Sequence, residues 1–281
     1  SEPIRSRKHA EVFQRLLRLI ETGTTMKHLN VGDMLHFLVP IPPLPEQRAI
    51  AEALSDADGL IAALEALIAK KRDLKQAAMQ QLLSGKTRLP GFSGEWEVKP
   101  LPKVLDFIGG KAHEQHISPF GEFVVVNSKF ISSEGKVAKY SDSNFCPARR
   151  GDILMVMSDL PNGKALAKCF LVDENHRYAI NQRVCILRPR KADSRFFFYQ
   201  LNRSPYFLAF DDGVQQTHLL NGVFRACPVV VPVSLDEQIA IGEVLSDMDG
   251  DLAALEAQRD KAKEIKQGMM QELLTGKVRL I

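Results

Sequence analysis

The sequence predicts a mixed α/β protein, a globule of short strands and helices framed by two long helices with coiled-coil seams. Three observations lead there. The stretch Glu46–Leu89 recurs without a gap as Glu237–Leu280, with 26 of 44 positions identical at a constant offset of 191. Both copies space their apolar residues at alternating steps of four and three, the narrow seam a coiled coil needs. Between them lie about 140 residues, enough for a globule with its own core. Its short apolar runs are bounded by Gly, Pro, Asn and Asp, as strands are.

Composition agrees. The chain has 281 residues, 45% hydrophobic and 25% charged, values ordinary for a folded protein with a core. No apolar run reaches the ~18 residues a membrane helix needs. The start, SEPIRSRKHAEVF, has no apolar stretch leading to a small-residue cleavage site. A cytoplasmic protein without membrane association is expected.

Taken in order, residues 1–45 are too few for a globule. Their end matches the end of the central globule, with Leu29-Asn30 answering Leu220-Asn221 and Leu44 answering Leu235. They read as the tail of a preceding globule. Pro40-Ile41-Pro42-Pro43-Leu44-Pro45 then leads rigidly into the first helix, because proline cannot continue a helix and restricts its predecessor. Residues 46–95 form that helix and a linker, Gly91–Gly94. Its seam reads Ala53, Ala57, Leu60, Leu64, Leu67 and Leu74, with Lys71 out of place. Gly59 weakens the helix by about 1 kcal/mol relative to Ala, and Ser84-Gly85-Lys86 closes it with a left-handed cap. Some 38 residues make a rod of about 57 Å.

Residues 96–236 are the globule. Phe123–Val126, Ile153–Met157 and Arg183–Leu187 read as strands, and Ser194–Leu208 as helical and aromatic-rich. The prolines of Pro228–Pro232 lead into the second helix, residues 237–281. Its seam is Val244, Met248, Leu255, Ala262, Ile265 and Met269, interrupted by Asp251 and Gln258, and Thr275-Gly276-Lys277 closes it.

Charge separates the parts. The net charge is +3, but the globule between Trp96 and Val230 holds 18 basic and 13 acidic residues. The last segment, from Val231, holds 6 basic and 10 acidic. A basic middle in a neutral-to-acidic frame suits a polyanionic partner, as it also suits a plain solvated face. Cys146, Cys169, Cys185 and Cys227 lack Cys-x-x-Cys or His ligand spacing, so core thiols are expected in place of a zinc site or disulfides.

Catalytic signatures are missing. Acid-x-Lys triplets at Asp73/Lys75, Glu97/Lys99, Glu134/Lys136 and Glu264/Lys266 have no upstream Pro-Asp, and two lie inside the repeat helices. No Gly-rich cofactor loop and no Asn/Asp-Pro-Pro-aromatic motif is present, and Gly109-Gly110-Lys111 lacks phosphate-loop spacing and reads as a turn. No catalysis, cofactor or metal is expected. DNA binding asks for less: cations that position phosphates and forked side chains that read base edges. Lys111, Arg149, Arg150, Lys164, Arg183, Arg188, Arg190 and Lys191 supply charge, and Gln182, Gln215, Gln216 and His218 supply readers. The polar loop Gly213–Leu219 is the foremost candidate. Each residue alone is equally a surface or capping group, and Arg150-Gly151-Asp152 reads also as a turn entering a strand.

The paired signature resembles one family. Pro43-Leu44-Pro45-Glu46-Gln47 with Leu82-Leu83-Ser84-Gly85-Lys86-Thr87-Arg88-Leu89 returns as Leu235-Asp236-Glu237-Gln238 with Leu273-Leu274-Thr275-Gly276-Lys277-Val278-Arg279-Leu280. Within the globule, Gly94-Glu95-Trp96, Arg150-Gly151-Asp152-Ile153-Leu154 and Gly213-Val214-Gln215-Gln216 add landmarks. Together they resemble the DNA specificity subunit of type I restriction-modification systems. The resemblance implies a target recognition domain that reads half of a split double-stranded DNA sequence. It also implies that the long helices pair as an antiparallel coiled coil that sets the gap between halves. Methyltransferase subunits would dock on this frame near Pro43, Glu46, Gln47, Glu237 and Gln238, and restriction (motor) subunits would join for cleavage. Full-length members carry two recognition domains. This chain shows one complete domain, which leaves room for a homodimer. The rival readings are a coiled-coil adaptor whose globule binds protein and a self-pairing DNA-binding module without methyltransferase partners. A steep fall of affinity with salt separates DNA binding from the adaptor.

Overall fold

A computed structural model describes residues 41–160 and 163–280, plus the backbone of two paired strands, β1 (Glu21–Thr22) and β2 (His28–Leu29). Of the segment read as the tail of a preceding globule, residues 1–20, 23–27 and 30–40, Asn30 and Pro40 included, lie outside the described residues. The chain divides into two compact units, residues 1–72 with 251–281 and residues 73–250.

The first long helix, α1 (Leu44–Leu82), spans 39 residues. It starts inside the proline lead-in, where Gln47 N–H donates to Pro43 O at 3.0 Å. Gly59 does not interrupt it. Gly85 ends it at φ +70°, a left-handed conformation that favours glycine. A Cβ there would also sit 2.9 Å from the Trp96 ring, so space demands glycine as well.

The globule is built on a four-stranded antiparallel sheet in the order β4 (Leu105–Gly109), β11 (Val184–Pro189), β7 (Ile153–Val156), β9 (Cys169–Leu171). Its inner strands alternate between two cores. Ile153, Met155, Cys185 and Leu187 pack with Phe196, Phe197 and Tyr199 of α3 (Ser194–Leu201). Leu154, Val156, Val184 and Ile186 pack with Val124, Val126, Tyr178 and Ile180. Those four belong to a second sheet, β10 (Tyr178–Ile180), β5 (Phe123–Val126), β6 (Lys139–Ser141), capped by Phe130 and Ile131 of α2 (Ser128–Ser132). Burial on both faces is why these strands appear in the sequence as unbroken apolar runs.

The helical stretch expected over Ser194–Leu208 is present as two helices, α3 and α4 (Pro205–Leu208). Asn202 Oδ1 accepts from Cys169 N–H at 3.0 Å, and Arg203, at φ +56°, donates its N–H to Ala167 O at 2.8 Å. Sheet contacts thus take over the backbone just before Pro205, which cannot sit inside a helix. The second lead-in also differs from expectation. After α5 (Asn221–Ala226), Pro228–Pro232 forms strand β13, paired with β3 (Trp96–Pro100), and buries Val229 and Val231.

The second long helix, α6 (Leu235–Leu273), also has 39 residues and closes at Gly276, φ +67°. The expected seam holds at alternate positions: Ala57 and Leu64 of α1 and Met248, Leu255, Ala262 and Met269 of α6 face inward, while the positions between them are displaced by one residue. Ile50, Leu54, Ala57, Ile61, Leu64, Ile68, Lys71, Lys75, Ala78 and Leu82 are buried or half-buried, in unbroken steps of four and three. Leu60, Leu67 and Leu74 are 55%, 41% and 50% exposed. In α6 the inward positions are those of α1 shifted by 191, from Ile241 to Leu273, and Asp251, Gln258 and Ile265 face out. Leu60-Ile61 and Leu67-Ile68 place apolar residues side by side, so either neighbour fits the pattern.

Ion pairs join the two helices and their tails within each unit. The first unit has Lys71–Asp251 (3.0 Å), Arg72–Glu256, Glu65–Lys263 (2.6 Å), Asp58–Lys266 (2.5 Å) and Glu46–Arg279. The second has Lys75–Asp249 and Arg88–Glu237. Residue numbers fall along one helix as they rise along the other, so the pairing runs antiparallel. Exchanging the repeats by 191 turns Arg88–Glu237 into Arg279–Glu46, Lys75–Asp249 into Lys266–Asp58, and Arg72–Glu256 into Lys263–Glu65. The exposed pairs among them, such as Glu65–Lys263, contribute little stability; their use is to fix register and direction.

Candidate nucleic-acid interface

The site is assembled by strand ends. β8 (Ser158–Asp159) pairs antiparallel with β12 (Thr217–His218), placing His218 opposite Ser158. Leu219 N–H donates to Met157 O at 2.8 Å, and Met157 N–H donates to Arg183 O at 2.9 Å. The turn between β10 and β11 is thereby held beside the β8–β12 ribbon. Gln182, Arg183, Gln216 and His218, all exposed, line one open cavity of about 450 Å³ with buried Ser158. Gln216 Nε2 donates to Ser158 Oγ at 2.9 Å. Four residues singled out in the sequence are thus brought together.

The loop before β12 is braced. Asp211 Oδ1 accepts from Gly213 N–H at 3.0 Å and Thr217 Oγ1 at 3.2 Å. Asp212 Oδ1 accepts from Val214 and Gln215 N–H at 2.9 and 3.0 Å. The Gln215 amide, then that of Val214, holds the Asp212 carboxyl below its usual range. Gly213 takes φ +71°, and Val214 and Gln215 stand exposed at the tip. Gln215 does not line the cavity.

Lys111 is exposed and flanks the same turn, since Gly110 and Lys111 donate N–H to Val184 O and Ile180 O at 3.0 and 2.9 Å. Gly109 is the last residue of β4, not part of a turn. A Cβ on Gly110 would lie 2.1 Å from Asn181 O; the glycine serves close packing. Lys164 is exposed in the segment after β8, where Ala165 and Leu166 donate N–H to Asp159 Oδ2 at 2.7 and 3.2 Å.

Arg149 and Arg150 are exposed on the turn entering β7 and line no part of the cavity. That turn is a structural device. Asp152, 2% exposed, accepts from Arg149 N–H at 2.7 Å and holds the Arg188 guanidinium through two 2.8 Å bonds. Arg188 is therefore committed inside the fold. Arg190 is paired with Asp106, whose carboxyl it holds below its usual range.

The residues nominated for partner docking divide. Pro43 and Gln47 are exposed. Glu46 and Glu237 are buried, each gripped by a two-bond arginine fork: Arg279 at 2.5 and 2.5 Å, Arg88 at 2.5 and 2.6 Å. Buried Gln238 donates Nε2–H to Pro232 O at 3.1 Å and accepts Asp193 N–H at 3.1 Å. The polar groups of Glu46, Glu237 and Gln238 tie the helix starts to the chain. All four cysteines are free and buried. Burial raises the Cys169 and Cys185 thiols well above their usual range and Cys227 to about 12, as core thiols require. Among the described residues, no three His, Cys, Asp or Glu are grouped to hold a metal, and no helix is long and apolar enough to cross a membrane.

Sequence reasoning missed Ser158. A polar residue ending the Ile153–Met157 run was its only signal, and nothing local announces Gln216 as its partner.

Solved structures share this mixed α/β fold with two long helices. The crystal structure of a type I restriction-modification S subunit from M. genitalium matches with a TM-score of 0.61 at 18% identity, covering 95% of this chain and 71% of that one. The HsdS subunit from Thermoanaerobacter tengcongensis matches with a TM-score of 0.50 at 19% identity, covering 98% and 70%. At such identities the likeness is one of fold. The family model for the type I restriction modification DNA specificity domain matches residues 9–71 and 93–267, and the chain belongs to that family. The type I restriction enzyme MjaVIII specificity subunit of Methanocaldococcus jannaschii is 26% identical over 288 residues, 92% of this chain and 66% of the relative. A putative MjaX specificity subunit of the same organism is 23% identical over 304 residues, 99% and 67%. The chain thus spans about two thirds of the length of these curated relatives.

Proposed function

We propose that this chain is the DNA-recognition and scaffold subunit of a cytoplasmic type I restriction-modification complex and performs no chemistry itself. The carrying observation is the cavity lined by Gln182, Arg183, Gln216 and His218, exposed and flanked by Lys111. An arginine fork matches the O6 and N7 acceptors of guanine, and a glutamine amide matches N6 and N7 of adenine. Arg149, Arg150 and Lys164, exposed elsewhere on the globule, contact phosphates and position the duplex.

In this reading residues 96–236 are the recognition domain and the helices pair as a coiled coil that sets spacing. Methyltransferase subunits dock on the exposed lead-in around Pro43 and Gln47, and motor subunits join them. Two copies of the chain pair to read both halves of a split site. The test is methylation of a random DNA library by the full chain with a type I methyltransferase subunit. Adenine methylation confined to one sequence is expected. Gln215→Ala with Gln216→Ala should relax that preference more than it weakens total binding. Failure to form the complex, or methylation without preference, contradicts the proposal.

A further inference from the structure

We infer that Ser158 is a positioning residue for base recognition. It holds the Gln216 amide beside Arg183, so that Gln216 reads an adenine and Arg183 a neighbouring guanine. The inference rests on the DNA-recognition reading above and adds which groups read, and what orients them.

Of the side chains lining the cavity, Ser158 is buried, 4% exposed, while Gln182, Arg183, Gln216 and His218 are exposed. Ser158 cannot itself meet a base edge. Its hydroxyl instead accepts the Gln216 Nε2–H at 2.9 Å. The backbone makes the reach dependable: His218 is in register with Ser158, and Leu219 is bonded to Met157 O. The same strand takes Met157 N–H to Arg183 O. One short segment, Met157-Ser158, thus fixes the backbone of one reader and the side chain of another.

The chemistry of the tether selects a base. A glutamine amide has two N–H donors and one carbonyl acceptor. Ser158 takes one donor, leaving one N–H and Oε1, the pair that meets N7 and N6 of adenine. A free exposed glutamine loses rotamer entropy when fixed; the tether meets part of that cost before DNA arrives. Gln215, at the exposed loop tip outside the cavity, has no such tether and no part in this reading head.

The test selects random double-stranded DNA with the full chain and compares base preferences among variants. The unmodified chain should prefer an A·T pair next to a G·C pair. Ser158→Ala should weaken the A·T preference about five- to tenfold, the scale of one bidentate contact. It should keep the G·C preference, low-salt binding to unrelated DNA and the melting temperature. Ser158→Thr, which keeps the hydroxyl, should restore the A·T preference. Gln216→Glu, at an exposed position, should move it toward cytosine, whose N4 donates to a carboxylate. Arg183→Lys should weaken the G·C preference alone. An unchanged preference in Ser158→Ala, equal loss at every position, or no rescue by threonine overturns the inference while DNA recognition stands. No preference in the unmodified chain overturns the DNA-recognition reading itself.

Discussion

The repeat builds the same arginine fork in each unit but in different surroundings. In the unit of residues 73–250, the Glu237–Arg88 fork lies under the globule. Arg88 stands over the Trp96 ring at 5.7 Å, Trp96 meets Phe196 edge-on at 6.0 Å, and Ile241 and Leu245 are fully buried. In the other unit, Glu46–Arg279 lines a groove of about 620 Å³ with Ile41, Ile50, Ala51, Leu54 and Leu274. Leu274 is 53% exposed and Ile41 78%. The fork is written in the repeated sequence; its cover is written in residues that the repeat does not share. Gly242 is one of them, since a Cβ there would lie 2.7 Å from Asp193 Oδ1 and 2.9 Å from Arg195 Cβ. Its counterpart is Ala51, exposed in its groove. A helix seated on Gly242 would meet a methyl group at position 51. The two ends of the repeat are therefore not interchangeable seats.

Exchanging those two residues gives the largest effect on this contrast. Gly242→Ala forces a methyl group into the globule's contact and should cost about 1–3 kcal/mol by overpacking, against about 1 kcal/mol gained in helix propensity. Ala51→Gly should cost only the propensity, about 1 kcal/mol, and leave the globule untouched. Urea unfolding with amide exchange across Asp193–Leu201 distinguishes them. Loss of protection there in Ala51→Gly, or none in Gly242→Ala, breaks the comparison.

A smaller effect comes from acid. The Arg279 hydrogen bond, the leading cause, lowers the Glu46 carboxyl from its ordinary value of 4.5, against burial, which raises it. A carboxyl lowered in the folded state adds stability above its unfolded value and loses it as pH falls through the lowered one. Glu46 also accepts the Leu280 N–H. The exchange protection of Leu280 should hold at neutral pH and decline below the ordinary glutamate range. Constant protection through that range would show that the fork does not hold the tail.

Much of this architecture was legible because burial repeats locally. The 191-residue offset, the strands Phe123–Val126 and Ile153–Val156, and the glycine caps at Gly85 and Gly276 each follow from neighbouring residues. Every second seam position was not legible, because Leu60-Ile61 and Leu67-Ile68 offer two neighbouring apolar residues and only a partner helix chooses between them. Nor was the use of Glu46 and Glu237, whose arginines lie 233 and 149 positions away. The cavity stands between these cases. Four of its lining residues could be named from residue type, whereas Ser158 depends on strand register, and Arg188 and Arg190 are held by Asp152 and Asp106.

In the proposed function the globule reads DNA sequence through the β8–β12 face. The most direct test is the affinity of the full chain for selected and unrelated duplexes across a salt series, beside Gln182→Ala/Arg183→Ala/Gln216→Ala. The unmodified chain should prefer its selected sequence, with affinity falling steeply in salt. The triple variant should bind both duplexes alike, with a salt slope smaller by about one phosphate contact at most. A triple variant that still prefers the selected duplex would contradict that reading.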